Sequence, residues 1–101
     1  EVTLAARATK IHGIDVRKGQ PIALIDGDLA LAAGTVADAA YACSARMLEG
    51  RGGAIVTLYR GEGEPAEGAE ALAARIREDF ACEVEVVHGG QPHYPYLIGV
   101  E

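Results

Sequence analysis

The residues whose types are best suited to chemistry lie in one segment, His88-Gly89-Gly90-Gln91-Pro92-His93-Tyr94-Pro95-Tyr96. His88 and His93 flank the two glycines, so a turn there brings two imidazoles near each other. Imidazole is a common zinc ligand, but zinc sites take three or four protein ligands. No third ligand is evident beside the histidine pair, so the spacing alone does not predict a metal site.

Other catalytic patterns are missing or misplaced. A phosphate-binding loop of the form GxxxxGK followed by Ser or Thr is absent, and so is a GxGxxG fingerprint. Ser44 is the only serine and lies within a predicted helix, which argues against a serine nucleophile. Gly89-Gly90-Gln91 resembles the tripeptide with which peptide-release factors place water at an ester, but the basic surroundings of those proteins are missing. Cys43 and Cys82 lack CxxC spacing and are interpreted as small core residues.

The segment from Gly89 to Tyr96 is predicted to be stiff. Glycines permit backbone angles that side chains forbid, whereas Pro92 and Pro95 fix φ and bias the preceding residues toward extended geometry. A stiff, exposed loop suits the presentation of a contact surface. The alternative is a tight connection between strands whose tyrosines only cover the edge of the core.

Composition excludes several classes of protein. With 101 residues, half of them hydrophobic, the chain is one globular domain with a modest core. The net charge is −6, and residues 21–101 hold −8 of it against +2 in residues 1–20. An acidic body argues against nucleic acid as a partner, and no apolar run reaches the roughly 20 residues of a membrane span. We expect no membrane insertion and a reducing, cytoplasmic setting.

Periodicity predicts alternating strands and helices. Val2–Ala8 is predicted as a strand, and Asp26-Gly27 as the tight turn of a hairpin that begins at Pro21. One helix follows Thr35 as its N-cap and ends before Gly50, and a second follows Glu64-Pro65. The remaining predicted strands are 54–59, 83–88 and 96–100. The run 54–59 is almost wholly apolar, which is typical of a strand covered on both faces.

The order of these elements predicts an α/β fold, a two-layer or three-layer sandwich whose mixed sheet contains a parallel βαβαβ segment from Leu29 to His88. Sites in such sheets form beyond the carboxyl ends of parallel strands. Three loops are expected to gather there: Gly34-Thr35, 60–63 and 89–91. Thr35, Arg60 and backbone N–H groups are therefore candidates to bind a carboxylate or phosphate, although ordinary caps and turns explain the same residues.

A family resemblance covers nearly the whole chain. The tail, Gly89-Gly90-Gln91-Pro92 followed by 93–101, is similar to the end of dihydroxyacetone-kinase-like proteins, the ATP-binding subunit of bacterial fatty acid kinase. Glu1-Val2-Thr3 with Arg7, Gly13-Ile14, Lys18-Gly19 and Ile25-Asp26-Gly27 resemble the start of the last domain of that family. The resemblance implies that residues 1–101 are a single C-terminal domain of a larger kinase-like protein of lipid metabolism, with a DegV-like fold.

The resemblance also implies a function. The parent would bind ATP and Mg²⁺ in another domain, so that no cofactor belongs to this one, which is not catalytic alone. This domain would help bind an acyl-carrying DegV-type protein, with contacts to other domains of the parent chain, while the fatty acid is phosphorylated elsewhere. Candidate partner-binding residues are Gly89, Gly90, Gln91, Pro92, His93, Tyr94 and Tyr96. The alternative is a module that binds a small carboxylate, acyl or phosphate ligand at Thr35 and Arg60.

Overall fold

Eight strands and two helices follow one another in the computed structural model, which describes residues 1–101. The elements are β1 (Val2–Leu4), β2 (Thr9–Ile11), β3 (Ile14–Val16), β4 (Pro21–Ile25), β5 (Asp28–Ala32), α1 (Val36–Leu48), β6 (Ile55–Arg60), α2 (Ala66–Phe80), β7 (Glu83–His88) and β8 (Tyr96–Val100).

The main sheet has the strand order β5-β4-β1-β8-β6-β7, and β2 and β3 form a separate hairpin. Only β6 and β7 pair in parallel; the other neighbours are antiparallel. The predicted α/β class and mixed sheet are confirmed. β5, β6 and β7 do run in the same direction, but β4, β1 and β8 lie between β5 and β6. At the middle of the sheet β1 meets β8 through a single register pair, Val2 with Tyr96.

Both helices lie on one face of the sheet, which makes a two-layer sandwich. α1 packs against β4, β5, β1 and β8, α2 packs against β6 and β7, and the two helices contact each other. The core between the layers is built from small and aliphatic side chains, with Leu58 and Ile76 fully buried. Each such side chain contributes about 2 kcal/mol through burial.

Turn and cap residues explain where the elements end. Asp26 and Gly27 have φ values of 52° and 82°, the pair of positive angles that a two-residue hairpin requires, and β4 begins at Pro21. The hydroxyl of Thr35 accepts a hydrogen bond from the Asp38 N–H at 3.0 Å and so caps α1. Gly50 follows the end of α1 with φ of 71°. These predictions are confirmed.

Two expectations are corrected by the structure. The strand predicted over Val2–Ala8 ends at Leu4, because the N–H and C=O of Ala5 bond to Gln20 and Gly19 across a turn and no longer to a neighbouring strand. The strand 54–59 is not covered on both faces. Its residues Ile55 and Tyr59 are 41% and 40% exposed on the face opposite the helices.

Candidate functional site

The backbone of the loop between β7 and β8, residues 89–95, is held to the end of β6. The N–H groups of Gly89 and Gly90 both donate to the carbonyl oxygen of Arg60, at 3.0 and 3.1 Å. Gly90 has φ of 69°, a backbone angle that glycine adopts without steric cost. The glycine pair therefore turns the chain sharply over the last residue of β6.

The side chain of Gln91 fixes the shape of this loop from within. Its Nε2 donates to two carbonyl oxygens, that of Tyr59 in β6 and that of Tyr94 further along the loop, both at 2.9 Å. Gly89 leaves the space for this arrangement, since a Cβ there would collide with the Gln91 Oε1. Gln91 is thus a brace of the loop, with its amide turned inward.

A second loop, residues 61–64 between β6 and α2, packs against the first. The Gly61 N–H donates to the Pro95 carbonyl at 2.8 Å, and the Glu62 N–H donates to the Gln91 carbonyl at 3.1 Å. A Cβ at Gly61 would lie 2.5 Å from the Tyr94 carbonyl oxygen and 3.2 Å from the Pro95 Cα. Only glycine allows this close approach of two backbones.

An open cleft of about 450 Å³ lies between these loops and β1. Thr3 and Leu4 of β1 line it together with both loops, and the Thr3 hydroxyl donates to the His93 carbonyl at 2.8 Å. His93 has φ of 69°, which is unusual for a residue with a side chain. Hydrogen bonds to β1, β6 and the 61–64 loop therefore fix the loop on three sides.

The predicted contact residues divide into an exposed set and a buried one. Pro92, His93 and Tyr94 are exposed, and Tyr94 is 38% accessible. Tyr96 is 2% accessible and belongs to the core, because alternation along β8 turns it to the helix side. Burial raises the pKa of the Tyr96 hydroxyl, and the nearby Glu64 carboxylate raises it further. Tyr96 is therefore not available for the contact surface to which the sequence assigned it.

Thr35 and Arg60 do not meet. Three strands separate the carboxyl ends of β5 and β6, and four strand spacings amount to about 19 Å. The Thr35 hydroxyl is engaged as a helix cap, and the Arg60 Nη1 donates to the Glu64 carbonyl at 3.1 Å. Of the three loops expected to gather at this edge, those at 60–63 and 89–91 do so, and Gly34-Thr35 lies elsewhere.

The remaining reactive side chains are engaged or buried. The Ser44 hydroxyl donates to the Ala40 carbonyl at 2.9 Å and is wholly buried. Burial also raises the pKa of the Cys43 thiol, which lowers its reactivity. No group of three or more His, Cys, Asp or Glu side chains is placed to hold a metal ion. Neither helix is long and apolar enough to cross a membrane. The site thus offers a shaped surface for binding.

Sequence reasoning missed the residues that come from other parts of the chain. Thr3, Leu4 and Gly61 reach the site because β1 and β6 are the strands on either side of β8. The glycines of the 61–64 loop were visible as a turn, but a close packing partner for Gly61 is a property of strand order. Nothing in the local pattern indicates that order.

Comparison with known proteins agrees with the resemblance of the tail. Residues 1–101 match the family of FakA-like C-terminal domains of fatty acid kinase. Protein YloV of Bacillus subtilis (strain 168) is 33% identical over 102 residues, covering 100% of this chain and 18% of that protein. An uncharacterised protein of Staphylococcus haemolyticus (strain JCSC1435), SH1689, is 30% identical over 104 residues, covering 99% of this chain and 18% of its own length. The chain thus spans under a fifth of the length of these two relatives, and it belongs to the FakA-like C-terminal family of fatty acid kinase.

Proposed function

We propose that this domain is a non-catalytic docking and regulatory domain of a fatty-acid-kinase-like protein. It helps to bind an acyl-carrying partner protein of the DegV type, so that a separate ATP-binding domain phosphorylates the fatty acid. In that step a carboxylate oxygen attacks the terminal phosphorus of ATP, giving an acyl-phosphate and ADP. The proposal places the protein in the cytoplasm and in lipid metabolism.

The observation on which the proposal depends is the rigid exposure of Pro92, His93 and Tyr94. A loop that is already ordered loses little conformational entropy when it binds, and an exposed aromatic ring is a common anchor of protein interfaces. The hydrogen bonds from Gln91 and Thr3 hold this loop without using the exposed side chains. They are therefore free for a partner.

The residues of this chain do not suit the binding of ATP and Mg²⁺. Magnesium in phosphoryl-transfer sites is held by carboxylates and by the phosphates themselves, and phosphates are held by glycine-rich loops. The 61–64 loop is glycine-rich, but it places Glu62 and Glu64 beside the cleft. Their negative charge disfavours a phosphate there. We therefore assign nucleotide and metal to another domain.

Capture on an immobilised, fatty-acid-loaded DegV-type protein tests the proposal. The His93→Ala, Tyr94→Ala double variant should be captured at least tenfold less than the unmodified chain. The matched control is Ile11→Ala, His12→Ala, because His12 has positive φ like His93 and Ile11 is 42% exposed, close to Tyr94. Equal capture of the two double variants would remove the loop from the interface, and no capture of the unmodified chain would refute the docking function.

A further inference from the structure

The face of the sheet opposite the helices has a regular arrangement of side chains across β7, β6 and β8. In one row Val87, Tyr59 and Leu97 lie side by side, because Tyr59 is the register partner of both others. In the next row Thr57 lies between Glu85 and Gly99. The missing side chain of Gly99 leaves a shallow trough beside Thr57.

The third row is acidic at its edge. Ile55 pairs with Glu83 in β7 and exchanges backbone hydrogen bonds with Glu101. Glu83 and Glu85 are exposed, and neither forms an ion pair, since the single salt bridge of the domain joins Arg75 to Asp38. This face therefore has an apolar end at the Val87–Tyr59–Leu97 row and a negative end at Glu83 and Glu85.

The apolar row is continuous with the loop of the candidate site. Gln91 donates to the carbonyl of Tyr59, and a Cβ at Gly89 would lie 3.2 Å from the Tyr59 Cβ. Tyr59 and Val87 are 40% and 39% exposed, as much as Tyr94 in the loop. A partner that contacts Tyr94 can thus extend onto this row without a gap.

We infer that the open face of β6, β7 and β8, which we call the open face, receives a helix of the acyl-carrying partner protein. The helix directs apolar side chains to the Val87–Tyr59–Leu97 row and Lys or Arg side chains to Glu83 and Glu85. The inference rests on the proposed function and specifies the chemistry of the partner.

Dimensions and charge determine the choice of this occupant. Three strands about 4.8 Å apart make a surface about as wide as one α-helix, whose diameter with side chains is about 10–12 Å. The opposite face of the same sheet is already covered by helices. A second copy of this chain would bring the same unpaired carboxylates together, and each copy has a net charge of −6. Like charges in contact oppose such a pair, whereas a basic helix neutralises them.

Binding of the fatty-acid-loaded partner to the 101-residue chain, measured by calorimetry at low and high salt, tests this inference. Tyr59→Thr with Val87→Thr keeps β-branched residues in the strands and should weaken binding at least tenfold, while Tyr59→Phe should bind like the unmodified chain. Ile11→Thr, an equally exposed residue on the separate hairpin, is the control. Glu83→Lys with Glu85→Lys should weaken binding and reduce its salt dependence. Glu70→Lys with Glu78→Lys, the same change of charge on exposed positions of α2, should not.

The outcomes separate the two proposals. If the loop variant at His93 and Tyr94 loses binding while the open-face variants match their controls, the inference is overturned and the docking function stands. If the unmodified chain does not bind the partner, both fall. If the Tyr59 and Val87 changes abolish only self-association in sedimentation velocity, a second copy occupies this face and the inference is overturned. Thermal unfolding of each variant shows whether it is folded, and a photo-crosslinking residue at Tyr59 that labels the partner supports the inference without loss of the fold.

Discussion

Gly61→Ala is the substitution that tests most directly how the candidate site is built. Its new Cβ would lie 2.5 Å from the Tyr94 carbonyl oxygen and 3.1 Å from the Gln91 carbonyl oxygen. Both neighbours are backbone atoms, so neither can rotate away as a side chain would. The 61–64 loop and the 89–95 loop must therefore separate.

The magnitude follows from the hydrogen bonds that join the loops. Separation breaks or lengthens the bonds from the Gly61 N–H to Pro95 and from the Glu62 N–H to Gln91. Each such bond contributes about 1 kcal/mol net, and Ala recovers about 0.4–1 kcal/mol by restricting the unfolded chain. We expect the free energy of unfolding to fall by about 1–2 kcal/mol, and Tm to fall by roughly 4–15 °C.

Gly63→Ala is the matched control. A Cβ at Gly63 meets nothing within 4 Å and its φ is not in the left-handed region, so the variant should be as stable as the unmodified chain or slightly more stable. Urea unfolding of the two variants and amide hydrogen exchange of residues 89–95 measure the difference. Equal stability and equal exchange protection for both variants would refute the close packing of the loops.

Three further predictions concern single side chains. Gln91→Met should lower the free energy of unfolding by about 1–2 kcal/mol because two carbonyls lose their donor, and urea unfolding should show it; an unchanged midpoint would contradict the brace. Ala81→Gly should raise the free energy of unfolding by about 0.5–1 kcal/mol, since Ala81 follows α2 in the left-handed region with φ of 49°; a loss of stability would contradict that geometry. The hydrogen bond from the Tyr41 hydroxyl to Asp79, 2.6 Å long, raises the pKa of Tyr41 above 10.0. Its stabilising contribution is complete below pH 10.0 and is lost as pH rises through the folded-state pKa. Asp79→Ala should therefore lower the pH at which tyrosinate absorbance appears, and an unchanged titration would count against the bond.

Local chemistry made several parts of the fold predictable. The Asp26-Gly27 turn, the Thr35 cap and the Gly50 end each depend on residues within a few positions of one another, and all three are confirmed. The order of the strands depends on which apolar faces pack together across the chain. Periodicity does not encode it, so the distance between β5 and β6 was missed.

The candidate site was predictable in the same partial way. The stiffness of the loop followed from its glycines and prolines, whereas the inward turn of the Gln91 amide depends on carbonyls in two other segments. The burial of Tyr96 was accessible to sequence reasoning, since Ile98 and Val100 occupy the same face of β8 and pack against the core. Applying strict alternation to the tail would have separated Tyr96 from Tyr94.

The single register pair between β1 and β8 has a consequence for how the domain folds and opens. Val2 and Tyr96 are 94 positions apart, so the middle of the sheet closes only after nearly the whole chain has been gathered. Contacts of such long sequence separation slow folding. The sheet then consists of two stretches, β5-β4-β1 and β8-β6-β7, and α1 is the element that packs across both. Partial unfolding is expected to begin with the detachment of α1, after which the two stretches part along this narrow junction and the loop of the candidate site leaves with the second of them.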